Sequence, residues 1–226
     1  MLHPLILASI QIGQPRQLGQ EDAADPADRP WTTAYLKEAV DGPLWLSRAG
    51  LAGDRPADLR HHGGPDQAVL AYAAAHYDLW RAELRRPDLP YGAFAENFTI
   101  AGLDEDHVCI GDVYAIGDAI VQVTQPRQPC GKISRALRIA GLTERTEATG
   151  RTGWYLRVLQ EGEVAAGMAI TRQERPYPQW TIARATAALR QASIDVATAR
   201  ELAACPLLGT RWRQALEKKI NHETSP

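Results

Sequence analysis

Gln125-Pro126-Arg127-Gln128-Pro129-Cys130 puts one guanidinium and one thiol on a loop stiffened by two prolines. The alternating run Ala119–Thr124 leads into it as a strand. Each proline fixes φ and removes a backbone donor, so the strand is expected to end at Thr124. A thiol on a rigid support is either an inert packed cysteine, a positioned nucleophile or a soft-metal ligand. Arg127 and Lys132 would favour the thiolate, and a helix beginning near Lys132 would turn its first amides toward the loop. Cys109, between Val108 and Ile110 in an expected strand, and Cys205, before Pro206, fit the inert role better.

Other polar clusters flank apolar runs. His61-His62-Gly63-Gly64-Pro65-Asp66 precedes a buried strand. A metal site of His62, Asp66 and His76 is disfavoured, because Gly63-Gly64-Pro65 keeps His62 and Asp66 off a shared helical face. The glycines point instead to a positive-φ turn or to close backbone approach by a ligand. Two readings stay open: a site, or a histidine and an aspartate bracing a turn. Glu96-Asn97 at a strand entrance reads as a hydrogen-bond brace. Gly150-Arg151-Thr152-Gly153 could present amides, a guanidinium and a hydroxyl to a phosphate, or be a plain surface turn.

The elements that must carry these groups follow from periodicity. Leu5–Ile12, Pro43–Leu46, Gln67–Ala73, Asn97–Ile100, Val108–Ile110, Val113–Ile116, Ala119–Thr124, Trp154–Leu159 and Val164–Ile170 read as strands. The last two are expected to form a hairpin through Glu161-Gly162. Ala74–Arg86 and Lys132–Ala140 read as helices, and 14–30 as a polar surface loop or partly mobile insertion. Many short strands with tight turns argue for a β-barrel or closed sheet: mainly β with some α. Arg175-Pro176-Tyr177-Pro178 is a linker signature. Beyond it Thr181, Asp195 and Thr210 can cap three helices, Ile182–Gln191, Val196–Ala204 and Arg211–Ile220. The division is therefore residues 1–175, the barrel, and 176–226, a three-helix segment. So small a segment must pack on the barrel or on the partner subunit of a homodimer.

With 226 residues, 45% hydrophobic, 23% charged and a formal net charge of −2, the chain can bury a core, and nothing global points to nucleic acid or a membrane surface. Three widely spaced cysteines without a CxxC are neither a disulfide framework nor a zinc finger. There is no signal-peptide pattern and no apolar run near the roughly 18 residues of a membrane span, so a reducing cytoplasm is expected.

Taken in order, these motifs resemble the MOSC superfamily, named after the C-terminal domains of molybdenum cofactor sulfurases, and most closely its YiiM-type bacterial branch. The resemblance rests on Gly50-Leu51-Ala52-Gly53-Asp54, His62-Gly63-Gly64-Pro65-Asp66, Tyr72 with His76-Tyr77 and Trp80, Glu96-Asn97, Gly111-Asp112, the run from Gln125 to Lys132, and Thr149-Gly150-Arg151-Thr152-Gly153-Trp154. It covers Trp31 to Ile170, and the tail resembles that branch's three-helix extension. Ala95 stands where the family more often has glycine, and Gly131 where relatives often carry a bulkier residue.

The resemblance implies a β-barrel-like fold and a molybdopterin-type cofactor, with Cys130 as protein ligand to molybdenum. It implies reduction of N-hydroxylated bases and related compounds: R-NHOH plus two electrons and two protons gives R-NH2 and water. His62, Asp66 and Asn97 are then candidates for the cofactor pocket or a proton relay. Arg127, Lys132, Arg151 and Thr152, with the backbone of Gly63 and Gly64, are candidates for the phosphate and pterin end. No flavin or iron–sulfur signature is present, so the electrons would come from a separate, flavin-dependent reductase. The rival is a non-redox cofactor-binding or sulfur-carrier protein with a persulfide on Cys130. A third, weaker reading takes the tail, with Arg211, Arg213, Lys218 and Lys219, as a nucleic-acid module.

Overall fold

The computed structural model describes residues 4–58, 63–190 and 195–224. Its strands are β1 (Ile6–Ile12), β2 (Arg16–Leu18), β3 (Trp31–Thr33), β4 (Glu38–Ala39), β5 (Leu44–Ser47), β6 (Gly50–Leu51), β7 (Val69–Ala73), β8 (Phe98–Ala101), β9 (Val113–Ile116), β10 (Ala119–Pro126), β11 (Trp154–Gln160), β12 (Gly162–Val164) and β13 (Ile170–Glu174). The helices are α1 (Ala75–Leu84), α2 (Lys132–Leu137), α3 (Leu142–Thr149), α4 (Ile182–Arg190), α5 (Val196–Ala203) and α6 (Thr210–Thr224).

Eight strands form one curled sheet in the order β13-β9-β10-β11-β7-β8-β1-β4, antiparallel throughout except for the parallel pair β7–β8. A parallel neighbour needs a crossover, and α1 supplies it between β7 and β8. Backbone bonds from Leu7 to Met168, from Gly167 to Leu7 and from Ile170 to Leu5 bring the start of β1 against the entry to β13. The sheet therefore rolls toward a barrel, which limits its open edges. Small sheets β12-β5-β6 and β2-β3 lie beside it.

Several boundaries differ from the sequence reading. The strand before the prolines does not stop at Thr124; β10 runs on to Pro126, which pairs with Trp154 after a register shift between Val123 and Gln125. Proline is tolerated there because it ends the strand at an irregularity. Val108–Ile110 is not a strand: Cys109 makes an isolated bridge to Thr181, and Ile182 and Trp180 take the backbone bonds of Val108 and Ile110. The expected hairpin through Glu161-Gly162 does not form. β12 pairs with β5, and β13 starts only at Ile170 and pairs with β9. The polar stretch 14–30 contains β2 and a short 3₁₀ turn rather than being all loop, and α2 stops at Leu137, with α3 following as a separate helix.

Two of the three expected caps of the tail form; the third does not, because α6 begins at Thr210 itself, whose N–H and hydroxyl both donate to Asp66. Thr181 Oγ1 accepts from Arg184 N at 3.1 Å, and the Asp195 side chain accepts from Ala197 N. The three helices share one apolar cluster with the sheet: Trp180, Ile182, Leu202, Trp212 and Leu216 pack in the same core as Val108, Ile110, Val121 and Val123. A second cluster joins α1, α2 and α3 around Tyr72, Tyr77, Trp80, Phe94, Ile133 and Leu142.

Candidate functional site

The strand β10 delivers Arg127 and Cys130 to the place where two cavities meet. The inner cavity, about 130 Å³, is walled by β1-to-β5 loop residues, the start of β7, Asn97 and the loop after β10. The outer groove, about 490 Å³, runs from the same loop to the start of α6. Cys130, Lys132, Gln67, Gln128 and Tyr155 line both, so the thiol stands on their shared rim. Cys130 is partly exposed, whereas Cys109 and Cys205 are buried.

Two backbone bonds and a bond from the Thr143 hydroxyl to Cys130 O, at 3.2 Å, fix the loop that carries the thiol. Arg127 N donates to Gly153 O at 3.0 Å, and Ile133 N donates to Cys130 O at 3.0 Å. Gly153 itself needs glycine: its φ is +79° and a Cβ would lie 2.5 Å from Ala71 O. Gly131 has nothing within 4 Å of where its Cβ would point, so the space beside the thiol is open.

Arg127 is 4% exposed; its guanidinium interacts with the buried Tyr35 hydroxyl, but neither Nη1 nor Tyr35 Oη makes a well-aligned hydrogen bond with any described residue. Burial alone would draw protons off this guanidinium, but the neighbouring Tyr35, Tyr155 and Cys130 outweigh it and hold the charge. Burial likewise pushes the Tyr35 and Tyr155 phenols up, against the pull of Arg127. Lys37, Arg55 and Lys132 add further positive charge to the inner cavity, against the single carboxylate of Asp54.

That carboxylate organises the opposite wall. Asp54 Oδ1 accepts from Lys37 Nζ at 2.5 Å and from Gly13 N at 2.7 Å, and Oδ2 accepts from Asn97 Nδ2 at 2.9 Å. Asn97 is oriented in turn by Leu70 N, which donates to its Oδ1, and by Gln11 O, which accepts from Nδ2. Burial lowers the affinity of Lys37 for its proton, opposed by Asp54.

Of the residues proposed from sequence, the inner cavity brings together Cys130, Arg127, Lys132, Asn97 and Gly63. His62 lies outside the described residues. Gly64 supplies a positive-φ turn, at +89°, at the start of the 3₁₀ turn before β7. Asp66 faces away from the inner cavity: it accepts from Thr210 N and Oγ1 at the start of α6, and pairs with Arg157 Nη2 at 3.0 Å. Arg151 and Thr152 do not line either cavity. Arg151 pairs with Glu83 at 2.8 Å and covers the Trp80 ring, and the buried Thr152 hydroxyl donates to Gly153 O. Their turn serves the site through Gly153, whose carbonyl holds Arg127 and whose N–H is held by Glu105 at 2.7 Å. His76 is taken up by the same Glu105, at 2.6 Å. Among the described residues no group of three or more His, Cys, Asp or Glu side chains is placed to hold a metal ion.

Tyr35, Lys37, Gln67, Tyr155 and Trp212 were not singled out as site residues. Asp54 stood in a quoted motif without a role. The available signals were slight: Lys37 is one of only four lysines, and Asp54 follows a turn.

The family model described as "MOSC domain" matches residues 58–171, and that described as "YiiM-like, 3-alpha helix domain" matches 180–223. Protein YflK of Bacillus subtilis is 42% identical over 70% of this chain and 69% of its own. Protein YiiM of Escherichia coli is 33% identical over 87% of both chains. A Gibberella moniliformis protein named "Reductase" is 37% identical over 78% of this chain, which spans only 32% of that longer protein. The crystal structure of YiiM from Geobacillus stearothermophilus superposes with a TM-score of 0.79 at 32% identity, covering 96% of this chain and all of that one.

Proposed function

This chain belongs to the MOSC family, and on that premise we propose that it is a molybdenum cofactor-dependent reductase of N-hydroxylated compounds. The net reaction takes R-NHOH, two electrons and two protons to R-NH2 and water; a separate flavin-dependent reductase supplies the electrons. The observation that carries this reading is the pairing of one accessible thiol with a buried, incompletely bonded guanidinium in a positively charged cavity. That donor set fits the group. A soft sulfur from Cys130 suits molybdenum. Arg127, Lys37, Arg55 and Lys132 suit an anionic phosphate end, with the Arg127 guanidinium keeping donor capacity beyond its contact with Tyr35. A pterin cofactor brings sulfur donors of its own, so one protein ligand suffices. When bound, it would supply the two-electron chemistry.

The chain's own residues do the rest. Pro126 and Pro129 hold the Cys130 loop, and Gly153 O fixes Arg127 behind it. Asp54 and Asn97 hold Lys37 Nζ against the cavity wall, where it keeps a proton that burial makes easier to release. Substrate enters from the outer groove, the wider of the two spaces that reach the thiol.

Metal analysis of the purified protein beside Cys130→Ala tests the reading, together with turnover of a hydroxylaminopurine under an artificial donor. Molybdenum in the wild type, its loss in the variant and loss of turnover are expected. Molybdenum retained unchanged in Cys130→Ala would sink it; metal-free protein carrying labile sulfur on Cys130 would favour a sulfur carrier.

A further inference from the structure

Gly153 links the thiol loop to a buried carboxylate that lies outside both cavities. Its carbonyl accepts from Arg127 N at 3.0 Å, and its own N–H donates to Glu105 Oε1 at 2.7 Å. Pro126 has no N–H to give, so at the β10 end of the loop it is Arg127 that supplies the donor. Glu105 is 5% exposed, and its backbone is fixed on both sides. Asp104 O accepts from His107 N and Val108 N, which closes the turn carrying Glu105. Glu105 O accepts from Ala183 N, in the first turn of α4, at 2.9 Å.

The other oxygen of Glu105 is also taken. Oε2 lies 2.6 Å from His76 Nε2, in the first turn of α1, and the His76 ring stands edge-on to Tyr72 at 5.3 Å. Tyr72 Oη in turn donates to Arg151 O at 3.1 Å, so this cluster holds the 150–153 turn at two points. The His76 and Glu105 side chains are 12% and 7% exposed, and neither residue lines the inner cavity or the outer groove. A carboxylate withdrawn from water is costly unless its oxygens are bonded, and here both are committed. Gly153 sits at φ +79°. A glycine there turns freely about its own backbone, so the bonds to its N–H and its C=O set the direction of the carbonyl.

We propose that Glu105 is the positioning residue for Arg127 and Cys130, acting through Gly153, with His76 holding its carboxylate at the required angle. This rests on the reading that the inner cavity takes an anionic group beside the thiol. The requirement is one of length rather than charge. The side chain must reach Gly153 N and His76 at once from a fixed backbone. A shorter acid lets Gly153 rotate, and its carbonyl then no longer keeps the Arg127 guanidinium beside the cavity and the thiol. An amide of the same length keeps an acceptor for Gly153 N, and the His76 ring can present its other tautomer to the amide NH2.

The test uses the full-length protein produced in cells that make no molybdenum cofactor, which keeps the cavity open and makes the result independent of reductase activity. Calorimetry measures binding of inorganic phosphate, and a brief pulse of iodoacetamide measures the alkylation rate of Cys130, whose thiolate the Arg127 charge favours. Glu105→Asp is expected to weaken phosphate about fivefold and to slow alkylation about threefold, while Glu105→Gln stays within about twofold of wild type on both. Leu202→Ala, in the buried core of the tail, lowers the melting temperature and should leave both readouts at wild-type values. Glu105→Asp at wild-type values, Glu105→Gln as impaired as Glu105→Asp, or the same losses in Leu202→Ala would each overturn the proposal. Wild type that binds no phosphate would instead remove the anionic reading of the cavity, and the order of alkylation rates would still decide the role of Glu105.

Discussion

Asn97 Nδ2 donates to Asp54 Oδ2 at 2.9 Å, and through that bond a buried amide fixes the carboxylate that neutralises Lys37. The Lys37 and Asp54 side chains are 9% and 14% exposed, so the pair is largely withdrawn from water. Removing one member of such a pair leaves a charge without compensation. Asp54→Ala should cost about 3 kcal/mol in urea unfolding, and Lys37→Met with Asp54→Leu together should cost clearly less. A single variant costing under about 1 kcal/mol would mean that Lys37 is solvated after all.

Glu96 gathers four donors: Tyr77 Oη at 2.5 Å, Gly92 N at 2.7 Å, Thr99 Oγ1 at 2.9 Å and Phe94 N at 3.2 Å. This makes it the brace expected from its place at a strand entrance rather than a group of the cavity. Glu96→Gln turns an amide NH2 toward one of these donors. A loss of about 2 kcal/mol is expected, with no change in the molybdenum content that the proposed function calls for. Loss of metal at unchanged stability would contradict this assignment.

Ala95 sits at φ +64°, a left-handed conformation that costs an L-residue about 1–2 kcal/mol. Glycine avoids that cost but loses roughly 0.5–1 kcal/mol of chain entropy. Ala95→Gly should therefore raise stability slightly, by about 0.5 kcal/mol, seen as a higher melting temperature. A lower one would show that the methyl group earns more by packing than the backbone loses.

Burial raises the phenols of Tyr35, Tyr72, Tyr77 and Tyr155 above the ordinary 10.0. The folded state then holds more protons than the unfolded chain above that value. The stability linked to these groups is complete below pH 10 and falls as pH rises past it. Unfolding titrations should show a loss of stability beginning near pH 10, with tyrosinate absorbance appearing together with unfolding. Tyrosinate forming in the intact fold at its usual pH would refute the burial argument.

Cys130 is partly exposed while Cys109 and Cys205 are buried. A brief pulse of a small alkylating reagent on metal-free native protein should mark Cys130 alone, with the other two reacting only in denaturant. Peptide mass analysis reads the order directly, and labelling of Cys109 at the same rate would count against the packing described.

The sequence carried most of the longer strands, two of the three caps of the tail and the stiff thiol loop, because periodicity, proline and capping chemistry are local. It misassigned Val108–Ile110 because an apolar triplet looks like a strand whether its partner is a ladder or, as here, the chain at 180–182. Lys37 and Asp54 lie 17 positions apart, one just before β4 and the other after β6, and meet only in the assembled fold. Asp66 and Thr210 lie 144 apart, and nothing local to either distinguishes a cap on a distant helix from a catalytic carboxylate. Arg151 was legible as a basic turn, but its partner Glu83 comes from α1, none of whose residues lines either cavity.

The stitch between residues 105–110 and 180–183 limits how the tail can be exchanged. Ile110 N donates to Trp180 O, Ile182 N to Val108 O and Ala183 N to Glu105 O, and Glu105 also grips the Gly153 turn behind Arg127. A tail joined in this way shares its first backbone bonds with the barrel, so the two cannot be separated without breaking them. Grafting the helices of one relative onto the barrel of another should therefore lower the melting temperature unless segment 105–110 travels with them.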